Sequence, residues 1–175
     1  MIINIIAYSR IQPVRKLRPD EDWRSVCDGI VFPLHAAFPR HALEIEPMTV
    51  YAAVERFAFD AGWYSRYNRW LEQLARLTGI PHLDPNWKVP DSAPFAQLLQ
   101  FTDCDATIGA TVCRKLAVDF ADYSKLAAGQ PERYFRQQYA LWRHAFEAGA
   151  DNGCVVFREA LSDEGPRARE CPSES

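Results

Sequence analysis

Residues 131–157 read PERYFRQQYALWRHAFEAGADNGCVVF, and this stretch decides the fold class. Its first part repeats apolar side chains at helical spacing, which predicts an amphipathic helix opened by Pro131. The inward face of that helix consists of Phe135, Gln138, Trp142, Ala145 and Phe146. Gly149 ends the helix, Asp151-Asn152-Gly153 is typical of a turn, and residues 154–157 then predict a short strand.

The amino terminus supplies a partner for that strand. Residues 2–8 are rich in β-branched side chains and end at Ser9, which predicts a second strand that pairs with residues 154–157. The sequence therefore predicts an α+β fold, in which three to four helices pack on a small sheet formed by the N- and C-terminal strands.

Three further helices are predicted between these strands. The first carries an apolar face of Tyr67, Trp70, Leu71, Leu74 and Leu77. Ser65 is its predicted N-cap and Gly79 its C-terminal stop. A helix of about two turns is predicted from Pro94, and a long helix from Ala110 to Ala127.

The remaining segments carry weaker signals. Residues 9–48 contain five prolines, which predicts irregular chain with a short helix near residues 21–29. Residues 49–61 fit a helix or a strand equally well, because short apolar runs do not separate the two. One globular domain is predicted over residues 1–157, followed by a disordered polar tail over residues 158–175.

Charge, cysteine content and hydropathy argue against several classes of protein function. The formal net charge of −3 argues against general nucleic-acid binding. The five cysteines form no C-x-x-C pair, so neither a zinc site nor a disulfide framework is predicted, and reduced thiols in the cytoplasm are the expectation. There is no signal peptide pattern and no apolar run long enough to span a membrane, so no membrane partner is expected.

The first candidate ligand site lies at the start of the Trp70 helix. The residues that could bind there are Tyr64, Ser65, Arg66, Tyr67, Asn68 and Arg69. Because a helix N-terminus presents unpaired N–H groups, this site suits a phosphate or a carboxylate. The competing interpretation is capping and packing, with the arginines of the stripe Arg66, Arg69 and Arg76 facing water.

The second candidate is the acidic turn that holds Asp103, Asp105 and Thr107. It resembles the start of a calcium loop, but Ile108 and Arg114 stand where an EF-hand needs Gly and Glu, so no metal or cofactor is predicted. No catalytic set is recognised either. We expect the two segments to meet at one end of the domain, where both helix starts would converge on one ligand.

Three segments carry a resemblance to known proteins. They are residues 61–70 (AGWYSRYNRW), residues 101–109 (FTDCDATIG) and residues 142–153. Together they resemble a family of uncharacterised proteins encoded by bacterial genomes and phages. The resemblance assigns no activity, but it implies a role connected with phages or mobile elements.

These observations lead to two function hypotheses. The first is a non-enzymatic interaction protein, of inhibitor, immunity or anti-defence type, whose partner is another protein. The alternative is a binder or hydrolase of a small phosphorylated or nucleotide-type ligand. An exposed aromatic patch would favour the first, and a pocket holding Tyr64, Arg66 and Asp103 the second.

Overall fold

The computed structural model of the chain describes residues 2–80, 89–100 and 105–160. Its strands are β1 (Ile2–Ser9), β2 (Gln12–Lys16), β3 (Ile30–Val31), β4 (Thr49–Ala52), β5 (Glu55–Trp63), β6 (Ala106–Gly109) and β7 (Cys154–Ala160). Its helices are α1 (Tyr64–Leu77), α2 (Ala96–Leu99), α3 (Ala110–Asp122), α4 (Ser124–Ala128) and α5 (Arg133–Ala150). None of the helices in these described ranges is long and apolar enough to cross a membrane.

The main sheet confirms the α+β prediction. Its strand order is β5-β1-β7-β6, and every neighbouring pair is antiparallel. The N- and C-terminal strands pair as expected, with Ile5 opposite Phe157. β7 continues to Ala160, so residues 158–160 belong to the sheet and not to the predicted tail. The rest of that tail lies outside the described residues.

The main core lies between one face of this sheet and the helices. Trp142 of α5 stacks on Trp70 of α1 at 5.3 Å between ring centroids, so the apolar faces of the two helices pack against each other. All five residues of the predicted inward face of α5 are buried. The amide nitrogen of Gln138, the polar member, donates to the Asp60 carbonyl of β5 at 3.2 Å, which compensates the burial of the nitrogen, whereas the buried Oε1 has no partner among the described residues.

A second, three-stranded sheet of order β2-β4-β3 belongs to a separate apolar cluster behind the main sheet. Phe32 links the two layers, with its ring 5.4 Å from Tyr8 of β1 and 5.2 Å from Tyr51 of β4. The prediction of irregular chain over residues 9–48 was therefore partly wrong. Pro13 does not prevent β2 from forming, because β2 is an edge strand with one side unpaired.

Residues 49–61 form strands, which settles the open choice between helix and strand. Phe57 and Phe59 of β5 are half-buried, whereas Arg56, Ala58 and Asp60, which alternate with them along the strand, are exposed. This alternation has the period of two residues that a strand with one packed face requires.

Three helix predictions differ in length or position from the structure. The helix expected from Pro94 is the single turn α2, because Phe95 has a left-handed φ of 58° and the helix begins after it. The helix expected over residues 110–127 is interrupted at Tyr123, whose φ of −90° and ψ of 4° separate α3 from α4. The helix expected near residues 21–29 is only a 3-10 turn at Trp23–Ser25.

A charge cluster ties the second sheet to the loop beside it. The Arg15 guanidinium donates two bonds to the Glu21 carboxylate, at 2.8 and 2.7 Å, and two to Asp28, both at 2.8 Å. Arg18 also pairs with Glu21, so two arginines of the basic stretch share this carboxylate. The hydrogen bonds from Arg15 lower the pKa of Glu21 to about 2 and also lower the pKa of Asp28.

This cluster makes stability depend on pH in acid. Because the folded pKa of Glu21 lies below its ordinary value of 4.5, its contribution is complete above that value and is lost as pH falls toward about 2. We expect the melting temperature of the unmodified protein to fall more steeply than that of Glu21→Gln across this range. Glu159→Gln, at an exposed glutamate on β7, is the control and should follow the unmodified protein. Parallel curves for all three proteins would contradict the assignment.

Candidate functional site

The start of α1 is a direct strand-to-helix junction. β5 ends at Trp63 and α1 begins at Tyr64, so no loop separates the two elements. Trp63 occupies the N-cap position, and no side chain caps the helix. The prediction that Ser65 is the N-cap was therefore wrong, because Ser65 already lies inside the first turn.

Contacts from α5 hold this junction in place. The Arg66 guanidinium lies over the Tyr134 ring, 4.0 Å from its centroid. The Tyr134 hydroxyl donates to the Ala61 carbonyl at 3.1 Å, and burial raises its pKa. Gly62 has a φ of 94°, and its N–H donates to the Asp60 carboxylate. The junction requires glycine because of this φ, and a side chain at Gly62 would also displace the Tyr134 hydroxyl, which would lie 2.9 Å from its Cβ.

The six predicted residues at the junction divide into exposed and buried members. Tyr64, Ser65, Arg66 and Arg69 are exposed, Asn68 is half-buried, and Tyr67 is buried. The Tyr67 ring stacks on Trp70 and Trp142, so it belongs to the core and does not face a ligand. Trp63, which the sequence analysis did not include, is 54% exposed beside Tyr64, which is 37% exposed. No local pattern marks it, because its exposure depends on how β5 enters α1.

The basic stripe on α1 is partly occupied by internal contacts. Arg76 pairs with Glu72 at 3.8 Å, and the Gln73 amide donates to the Glu132 carboxylate. Arg66 is engaged with Tyr134, as described above. The interpretation of this stripe as a solvated helix face therefore fits the contacts better than a phosphate-binding surface.

The acidic turn has a different structure from the one predicted. Asp103 lies outside the described residues. Asp105 is exposed with a left-handed φ of 59°, and Thr107 is buried inside β6, where its hydroxyl donates to the Pro33 carbonyl at 2.6 Å. Thr107 thus holds the sheet edge and was wrongly assigned to a turn. No group of three or more potential metal ligands occurs within residues 2–80, 89–100 and 105–160.

The starts of α1 and α3 do not converge, while the expected meeting of residues 64–68 with the acidic turn stays a prediction, because Asp103 lies outside the described residues. α1 leaves the sheet beside Ile2, whereas α3 follows Gly109, which lies opposite Cys154 and so level with Tyr8. The two helices begin at opposite ends of β1, about 20 Å apart along the strand. In addition, β5 and β6 are the two edges of the sheet, separated by β1 and β7, a width of about 14 Å.

The N-terminus of α3 is occupied by a carboxylate from the chain itself. Glu44 accepts a hydrogen bond from the Thr111 N–H in the first turn of α3. Burial alone would raise the pKa of Glu44, but the hydrogen bonds from Thr111 outweigh it and the pKa is lowered. The negative charge expected at this helix start is thus supplied by Glu44.

A cleft of about 410 Å³ lies elsewhere, where residues 37–41 meet α2 and α3. His41 is buried at its wall and stacks on Phe38 at 5.0 Å, and burial lowers the pKa of the imidazole. Arg40, Asp91 and Gln97 add polar groups. Sequence reasoning missed this cleft because three distant segments form it and no local motif marks any of them.

The described cysteines offer no reactive centre. Cys113 and Cys154 are buried, and burial raises the pKa of both thiols, so little thiolate forms near neutral pH. Cys27 is exposed. Cys104 lies outside the described residues.

Comparison with known proteins adds no family to this description. No family model, no curated protein and no solved structure matches the chain. The resemblance to phage and bacterial proteins therefore stays a prediction. The class of protein is inferred below from the exposed residues.

Proposed function

We propose that this protein is a non-enzymatic interaction protein that binds a partner protein through Trp63, Tyr64 and Arg66, here called the junction surface. The observation that carries the proposal is the exposure of Trp63, at 54%, directly beside the exposed Tyr64. Tryptophan, tyrosine and arginine are the residues in which protein interfaces concentrate their binding energy.

Rigidity of the junction surface supports this function. Its backbone is fixed by the pairing of Trp63 with Ile2 and by the Tyr134 bond to Ala61. Arg66 is oriented by the Tyr134 ring and stays exposed. A surface held in one conformation loses little entropy on binding, so more of the contact energy appears as affinity. Arg66 favours a partner that presents a carboxylate beside an apolar patch.

The biological role that we propose rests on the sequence resemblance described above. The resemblance to phage-encoded proteins favours a partner from the host or from a competing element, so the protein would act as an inhibitor, immunity or anti-defence factor. Cytoplasmic action is part of the same proposal. It is supported by Cys113 and Cys154, which are buried free thiols.

The cleft beside His41 supports a second candidate function, the binding of a small phosphorylated or nucleotide-type ligand. Arg40 would supply positive charge. The buried Oε1 atom of Gln97 has no hydrogen-bond partner within the described part of the chain, so it is a possible acceptor for a ligand hydroxyl. We rank this function second, because Tyr64 and Arg66 line no part of the cleft.

Comparative capture with matched variants tests the first proposal. The tagged protein, the double variant Trp63→Ala/Tyr64→Ala and the control Leu43→Ala/Val118→Ala are incubated with extract of the source cells. Leu43 and Val118 are exposed apolar residues outside the junction surface. We expect the double variant to retain at least about tenfold less partner, since truncation of each interface aromatic costs about 1 kcal/mol or more.

Two outcomes would contradict the first proposal. Equal retention by all three proteins would remove the junction surface as the binding site. A thermal shift with a nucleotide or inorganic phosphate that Arg40→Ala abolishes would place the activity in the cleft instead.

A further inference from the structure

The two edges of the main sheet differ in whether another part of the chain covers them. At one edge, the segment before β4 covers β6: Thr107 bonds Pro33, and Gly109 lies against Ala42 and Glu44. At the other edge, β5 pairs only with β1 among the described strands. An unpaired edge presents a row of N–H and C=O groups that another strand can complete.

Side chains of α5 and an irregularity limit how much of this edge is open. Gln138 donates to the Asp60 carbonyl and Tyr134 to the Ala61 carbonyl, so these groups already have partners. The register with β1 also shifts between Ile3 and Asn4, opposite residues 60–62. A regular ladder on the outer edge therefore ends before the Asp60 carbonyl, so that within the open segment Arg56–Asp60 the last residue contributes through its side chain.

The open segment is complementary to itself. Its sequence is Arg56-Phe57-Ala58-Phe59-Asp60. When two copies run antiparallel about a twofold axis at Ala58, each Arg56 lies opposite the Asp60 of the other copy. Both charges stand on one face of the sheet, and each Phe57 lies opposite a Phe59 on the other face.

Each of these cross-strand pairs is of a stabilising type. Opposite charges and paired aromatic rings both favour antiparallel pairing, and like charges in the same places oppose it. Arg56 and Asp60 are exposed, and Arg56 forms no ion pair within the described residues. Phe57 and Phe59 are half-buried and already contact each other at 5.8 Å, so pairing would cover their exposed parts.

We propose that two copies of this chain associate through β5, antiparallel about Ala58, so that their two four-stranded sheets become one continuous sheet. This association goes beyond the proposed function. Trp63 lies five residues from the axis, about 17 Å along the strand, so the two junction surfaces flank the paired segment at its opposite ends.

Charge reversal in single variants and in their mixture tests the proposal by sedimentation velocity over a concentration series. Arg56→Glu places two carboxylates opposite each other, and Asp60→Lys places a guanidinium opposite an ammonium group. Each variant alone should dissociate about tenfold more readily than the unmodified dimer. An equimolar mixture restores opposite charges in both pairs, so it should form the dimer again.

The mixture separates loss of pairing from loss of folding, since misfolded variants do not recover on mixing. Ala58→Lys gives a second test, because it sets two ammonium groups face to face at the axis, and Ala121→Lys on the exposed face of α3 is its control. An unmodified protein that stays monomeric at all concentrations would overturn the proposal. So would a dimer that neither Arg56→Glu nor Ala58→Lys weakens. Neither outcome bears on partner capture by the junction surface, which is measured separately.

Discussion

Trp142→Ala is expected to lower the free energy of unfolding by about 3–5 kcal/mol, the range for truncation of a large buried aromatic side chain. Trp142 is 0% exposed. Its ring contacts Trp70 of α1, Phe59 of β5 and Phe157 of β7 at 5.3–5.5 Å between centroids. It therefore joins α1, the sheet and its own helix α5, and its removal leaves a cavity at the centre of the core.

Chemical denaturation of Trp142→Ala measures this effect, with Trp63→Ala as the matched control. Trp63 is the same residue type on the surface, so its truncation should change stability by no more than about 0.5 kcal/mol. If the two variants unfolded at similar denaturant concentrations, the placement of Trp142 at the centre of the core would be wrong.

Gly153→Ala is the second large effect, with an expected loss of about 3 kcal/mol, the upper part of the range for overpacking. A methyl group at Gly153 would lie 1.9 Å from the Tyr8 carbonyl oxygen of β1. That oxygen belongs to the backbone and cannot rotate away. The turn itself is fixed by bonds from the Arg10 and Ile11 N–H groups to the Asp151 and Asn152 carbonyls, at 2.8 and 2.9 Å.

Gly129→Ala is the control for this prediction. At Gly129 the added methyl group would have its nearest contact at 3.5 Å, and the φ of −76° is accessible to alanine. This variant should be neutral or slightly stabilised, because alanine restricts the unfolded chain more than glycine does. Equal melting temperatures for the two variants would show that β1 does not lie against the Asp151–Gly153 turn.

The predictable part of the fold was the part with long apolar periodicity. The face of α5 from Phe135 to Phe146 and the face of α1 from Tyr67 to Leu74 are each buried as their spacing indicated. Both follow from the helical repeat of 3.6 residues, which local sequence records directly. The pairing of β1 with β7 was also predictable, since both are short apolar runs at the ends of the domain.

The strands that the sequence did not predict are short or depend on pairing partners that are distant in sequence. All four residues of β6 are buried, so the strand shows no alternation to read, and its pairing with β7 spans a long sequence separation. β2 and β3 form because β4 lies between them, and nothing within residues 9–48 reports that partner. Such strands are stabilised by tertiary pairing more than by their own composition.

The candidate site was predictable in its location on the chain but not in its chemistry. The Tyr64–Arg69 segment does begin a helix, yet Tyr67 is core and Ser65 is not a cap. The exposed Trp63 and the Tyr134 ring under Arg66 depend on how β5 enters α1 and on where α5 lies. The starts of α1 and α3 lie apart because topology, which local patterns do not record, placed β5 and β6 at opposite edges of the sheet.

Photo-crosslinking in the source cells tests the junction surface most directly. A photoreactive phenylalanine analogue replaces Tyr64 in one protein and Val118, an exposed residue of α3, in a control. The aromatic analogue preserves the character of the surface at residue 64. The proposal predicts a discrete crosslinked partner protein from position 64 that is absent from position 118. Absence of any product from position 64, or the same products from both positions, would contradict it.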